Sequence, residues 1–131
     1  MTPSCTTIGI AVVEREGCYL VGVRGPHGPL PGYSEFPGGK CVAGETPAEC
    51  ARRECQEETG LDVRPVRLLQ NVRHSYPHGE VDLHFWLCEP TDPRAEPGAP
   101  YGWLPRSELG SCRFPEANQP LINQLMAAET S

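Results

Sequence analysis

Several features are missing from this chain, and each absence narrows what it can do. No stretch is both long and apolar enough to cross a bilayer, and the sequence does not open with a basic segment followed by an apolar run. Neither a membrane span nor a secretory leader is therefore expected, and the expected location is cytoplasmic. Lys and Arg form no run, and the formal net charge is -6. Direct nucleic-acid binding, which relies on a basic surface, is not expected. The 7 cysteines are odd in number and include no C-x-x-C pair. That pattern speaks against a zinc cluster and against a secreted disulfide framework. Reduced thiols, several buried as small apolar groups, are the expectation.

What is present suits one soluble globular domain covering residues 1–131. A chain of 131 residues supports a single core, and 14 Gly and 15 Pro imply long loops. Thr6 to Glu14 is rich in β-branched residues and is followed, after Arg15-Glu16-Gly17, by Cys18 to Val23; together they predict a hairpin. Arg24 to Ser34 is crowded with Gly and Pro and predicts a loop. Thr46 and Pro47 predict a helix start, with Glu49 completing a capping box and Gly60 the stop after about Thr59. Val63 to Ser75 and Glu80 to Glu89 predict strands, the second alternating Val81, Leu83, Phe85 and Leu87 with Asp82, His84, Trp86 and Cys88. Pro90 to Gly102 predicts a second long loop, and Pro120 to Ala128 a final helix. The layout is a mixed sheet with one helix in mid-chain and one at the end, an α/β arrangement without internal repeat.

The chemistry is concentrated on the first helix. Glu54, Glu57 and Glu58 stand at i, i+3 and i+4 and share one face. Like charges that close destabilise a helix unless a cation neutralises them. Oxygen donors without His or Cys favour Mg2+ or Mn2+ over zinc. Ala48, Ala51 and Cys55 form a small apolar stripe suited to close packing on a sheet, and Glu45 adds a fourth carboxylate near the helix start. On the glutamates alone, a solvated acidic face balanced by Arg52 and Arg53 would explain as much.

The spacing around them decides otherwise. From Gly39 to Leu61 the chain carries G-x5-E-x7-R-E-U-x-E-E-x-G-U through Gly39, Glu45, Arg53, Glu54, Glu57, Glu58 and Gly60, departing only at Cys55, where an aliphatic residue U is the rule. This resembles the Nudix box. Outside the box, Glu35-Phe36-Pro37-Gly38-Gly39-Lys40, Leu83 to Leu87 and Phe114 to Pro120 are similar to the MutT-like branch of the Nudix hydrolase family. The resemblance implies the Nudix fold, an α/β/α sandwich with a mixed β-sheet. It also implies water attack on the β-phosphorus of a nucleoside triphosphate, giving a monophosphate and pyrophosphate, with 8-oxo-(d)GTP as the expected substrate.

By the same resemblance Glu54, Glu57 and Glu58 are metal ligands for Mg2+ (or Mn2+), helped by the Gly38 carbonyl. Arg53 orients the glutamates through an ion pair with Glu45, and Lys40 meets the phosphates. The general base and a further metal-site role fall to Glu96 in the loop before Trp103, with Asp92 as the alternative. Asn118 is expected to bind the purine edge, since an amide both donates and accepts; an N-cap role for the last helix is the plainer alternative. Arg24, Phe36 and Tyr76 match positions near the base, though either aromatic could simply fill core. One departure bears on selectivity: the second base-contacting arginine expected shortly after Tyr76 is Gly79, with His78 as a partial substitute. Two other readings stand beside this one: a Nudix hydrolase for CTP, dCTP or a related nucleotide, and a non-catalytic Nudix module that binds nucleotides or RNA. The second is disfavoured because no box glutamate is missing. Oligomeric state is open.

Overall fold

A computed structural model describes residues 5–27, 30–77 and 79–128. The first strand, β1 (Cys5–Arg15), runs through the middle of the molecule. Its β-branched residues suit a pleated strand covered on both faces, and the period of two divides them between two cores. Ile10 and Val12 face one cluster with Phe85, Leu109, Leu121 and Leu125. Ala11 and Val13 face the other, with Ala51, Cys55, Leu61 and Cys88. Full burial of such a side chain stabilises by roughly 1.5–3 kcal/mol.

Six further strands surround β1: β2 (Cys18–Val23), β3 (Ser34–Glu35), β4 (Gly38–Lys40), β5 (Val63–Tyr76), β6 (Gly79–Pro90) and β7 (Gly102–Pro105). The order is β3-β2-β1-β6-β5, with β4 on β1 and β7 on β2. β1 and β6 are parallel, and the other pairings are antiparallel, so the sheet is mixed. Helix α1 (Pro47–Thr59) covers one face and α2 (Gln119–Ala128) the other. This is the expected α/β/α sandwich.

The predicted α1 limits hold at both ends. Thr46 accepts from the Glu49 N–H, the Glu49 side chain returns the bond, and Gly60 closes the helix in the left-handed region at φ 84°. The helix lies very near β1, because a Cβ on Gly9 would meet the Pro47 carbonyl oxygen at 2.6 Å. The apolar stripe differs from expectation: Cys50, Ala51, Cys55 and Thr59 are the buried residues, while Ala48 is only half-buried. Thr59 is accommodated by its hydroxyl, which donates to the Cys55 carbonyl at 2.8 Å.

Two other differences have local causes. In β6 the simple alternation gives way near its end, where Cys88 is fully buried and Leu87 half-buried, because helices cover both faces. The β7 strand and the 3-10 turns at Arg106–Ser111 and Glu116–Asn118 were not foreseen, being short and bounded by prolines. All 7 cysteines are free thiols, with Cys50, Cys55 and Cys88 buried. Among the described residues, no helix is long and apolar enough to cross a membrane.

Candidate active site

The antiparallel pairing of β4 with Ile8–Ile10 lays Gly38 and Gly39 alongside α1. A Cβ on Gly39 would land on the Glu54 carboxylate, so glycine is required for that side chain to lie where it does. The Gly38 N–H bonds the Glu58 carboxylate, whose Oε1 accepts from the Tyr101 hydroxyl at 3.0 Å. Glu58 is exposed as a residue, yet its carboxyl end is tucked under Tyr101. That burial, reinforced by the charges of Glu54 and Glu35, pushes it up to about 7 against the lowering hydrogen bond from Tyr101.

Arg53 holds the other carboxylates. Its Nε and Nη2 grip both oxygens of Glu45 at 2.7 and 3.0 Å. Nη1 reaches Glu54 at 3.2 Å and Glu57 at 3.0 Å, and Nη2 donates to the Lys40 carbonyl at 3.1 Å. A two-point guanidinium–carboxylate pair fixes geometry as well as charge. The bonds from Arg53, aided by the Val42 N–H, hold Glu45 down to about 2. Arg52 takes no part, because Asp62 engages it at 2.8 and 3.1 Å.

These carboxylates and the Gly38 backbone suit a hard divalent cation. The donors are all oxygen, Glu54 and Glu57 meet on the Arg53 Nη1, and repulsion from Glu54 adds to the burial that raises Glu58. A cation relieves that repulsion.

Beside this face a cavity of about 260 Å³ is lined by Ile8, Ile10, Arg24, Glu35, Phe36, Gly38, Tyr76, Val81, Leu83, Pro115, Ala117 and Asn118. It thus gathers Arg24, Phe36, Tyr76 and Asn118 from four separate segments, next to Gly38. Phe36 both lines the cavity and fills core, 5% exposed and stacked on Phe114 with centroids 5.0 Å apart. Tyr76 is exposed at the rim, its ring 4.6 Å from that of His74. Asn118 is buried at the end of a 3-10 turn that runs straight into α2. The backbone is already helical there, which weakens the N-cap alternative.

Gly79 pairs directly across from Tyr76, with φ at 149°. A side chain is strained in that conformation, so this turn itself disfavours an arginine there. His78 lies outside the described residues.

Three expected residues are placed elsewhere. Lys40 lines a neighbouring cavity with Cys41, Glu45 and His84 and is not among the residues of the base cavity. Glu96 is largely exposed, accepts from Trp103 Nε1 at 3.0 Å and pairs with Arg15 at 3.6 Å; neither partner belongs to the glutamate face. Asp92 braces its own loop by accepting from the Arg94 N–H at 3.0 Å. That loop nevertheless docks on α1, through Gly98 N–H to the Thr59 carbonyl at 2.8 Å and through Tyr101 to Glu58. Sequence reasoning gave no role to Glu35 or Tyr101. Glu35 pairs with Arg24 at 3.2 Å on the cavity wall, and its charge acts on Glu58, so it links the two halves of the site. Its place in the Glu35–Lys40 segment was the available signal. Tyr101, in a Pro-rich loop, had none.

The model of the NUDIX domain matches residues 9–124. The 8-oxo-dGTP diphosphatase of Escherichia coli (strain K12) is 38% identical over 93 residues, spanning 70% of this chain and 72% of that protein. A solved MutT structure, from work on Aliivibrio salmonicida and Vibrio cholerae, superimposes with a TM-score of 0.74 at 27% identity, covering 95% of this chain and 99% of that one. The MutT protein of Methanosarcina mazei Go1 shares the fold at a TM-score of 0.81 and 18% identity, covering 100% and 99% of the two chains. Box, fold and relatives agree: this chain belongs to the Nudix hydrolases, in their MutT-like branch.

Proposed function

We propose that this chain is a Mg2+-dependent pyrophosphohydrolase that clears 8-oxo-dGTP from the nucleotide pool, releasing 8-oxo-dGMP and pyrophosphate. The observation that carries the reading is the junction at Gly38, where an amide-bearing purine-sized cavity meets a carboxylate face. The 38% identical relative bears the name of that activity.

In this scheme Glu54, Glu57, Glu58 and the Gly38 carbonyl hold the cation. When bound, it lowers the pKa of water and spreads the charge developing on the phosphates. Arg53, anchored on Glu45, keeps Glu54 and Glu57 aimed at one place. Asn118 reads the purine edge, with Phe36 as the flat apolar wall and Arg24 as a positive group braced by Glu35. Oxidation turns guanine N7 from an acceptor into an N–H donor, so a buried acceptor facing it would reject ordinary guanine by about 1–3 kcal/mol. Glu96 joins the reaction after turning away from Arg15 and Trp103; Lys40 meets the phosphates after turning from its neighbouring cavity.

A panel of nucleoside triphosphates assayed with Mg2+ tests the reading. The expected result is the highest kcat/KM for 8-oxo-dGTP and pyrophosphate as the direct product. Equal values for 8-oxo-dGTP and dGTP would overturn the substrate assignment, and orthophosphate as the direct product would place the attack on a different phosphorus.

A further inference from the structure

Beside the cavity lined by Lys40, Cys41 and Glu45 lies a cluster whose two thiols the hydrolytic scheme does not use. Cys41 Sγ, a Glu45 carboxylate oxygen and Cys50 Sγ all lie within 4.8 Å of one another. They are nine residues apart at most in sequence, with none of the short paired spacing by which zinc sites are usually read. The fold assembles them. Cys41 directly follows β4 with its N–H bonded to the Thr7 carbonyl at 2.9 Å, Glu45 closes the connecting turn on Val42 at 3.1 Å, and Cys50 occupies the first turn of α1. Each ligand is thus carried on hydrogen-bonded backbone rather than on a loose tail, as a preorganised site requires.

We propose that Cys41, Glu45 and Cys50 bind a thiophilic divalent cation of the zinc class, at a site separate from the hard-oxygen face of α1. Two sulfurs and one carboxylate oxygen are a borderline-soft donor set, which zinc and cadmium accept and Mg2+ does not. A tetrahedral zinc, with bonds of about 2.3 Å to sulfur, holds its sulfurs roughly 3.8 Å apart. A cluster already within 4.8 Å closes to that spacing by small side-chain rotations. Cys41 and Glu45 line the neighbouring cavity, from which water can complete the coordination. The site also has a consequence for the box. Glu45 is the anchor of Arg53, so a cation bound there competes with the guanidinium for the same carboxylate.

Cadmium serves as the probe, because thiolate ligation gives a sulfur-to-metal charge-transfer band in the ultraviolet. The full chain, kept reduced with a phosphine and held in millimolar Mg2+, is titrated with Cd2+. One equivalent is expected to saturate the band. Cys41→Ser, at a half-buried position, should keep the native circular dichroism and weaken Cd2+ binding at least tenfold. Cys112→Ser should leave the titration unchanged. The proposal is overturned if no band forms, if Cys41→Ser titrates like the parent, or if Cys112→Ser abolishes the band.

Discussion

Around α1, almost every group bearing on the phosphate end comes from one continuous stretch, Gly38 to Glu58, and most of its contacts are between charges. The base end is assembled differently. Arg24, Phe36, Tyr76, Leu83 and Asn118 arrive from separate segments, and apolar side chains make up much of the wall. Local chain geometry sets the first region, since helical periodicity alone places Glu54, Glu57 and Glu58 on one side. Tertiary packing sets the second, because nothing brings Tyr76 near Asn118 until the sheet has formed. The two regions should therefore fail in different ways: changes at the helix should alter rate on every substrate, and changes in the cavity should alter preference among substrates.

The largest expected effect is at the helix. Glu57→Gln removes one proposed ligand charge while keeping shape and the hydrogen bond to Arg53. It should lower kcat by on the order of 10³-fold for every nucleotide tested, at saturating Mg2+. Steady-state assays check this, and near-normal kcat would remove Glu57 from the metal site.

A smaller effect is expected on stability. Glu45 is depressed to about 2 from an ordinary 4.5, so its contribution is fully present above pH 4.5 and is lost as pH falls toward 2. Thermal melts of the metal-free protein across that window should show this loss. Glu45→Gln should melt lower than the parent near neutral pH, with the difference shrinking as the pH falls. A constant difference between the two proteins would show that the Arg53 pair does not produce the depression.

The same division explains what could be read beforehand. The helix limits were legible because Thr46, Pro47, Glu49 and Gly60 are local signals whose partners lie within a turn. The glutamate face and Arg53–Glu45 were legible for the same reason. The Cys41–Glu45–Cys50 cluster was not, since its closeness depends on β4 pairing with β1 and on Gly9 admitting α1. The place of Glu96 was also hidden: Arg15 and Trp103 hold it through contacts 81 and 7 residues away in sequence, which no spacing rule reports. Gly79 was noticed as a departure, but the reason for it, its φ of 149° opposite Tyr76, belongs to the turn geometry.

The most direct test of the division between rate and preference is the ratio of kcat/KM for 8-oxo-dGTP to that for dGTP, measured in the parent, Glu57→Gln and Asn118→Ala. The ratio should survive in Glu57→Gln despite its slow turnover, and should collapse by about 5- to 150-fold in Asn118→Ala. A ratio lost in Glu57→Gln, or retained in Asn118→Ala, would contradict the account.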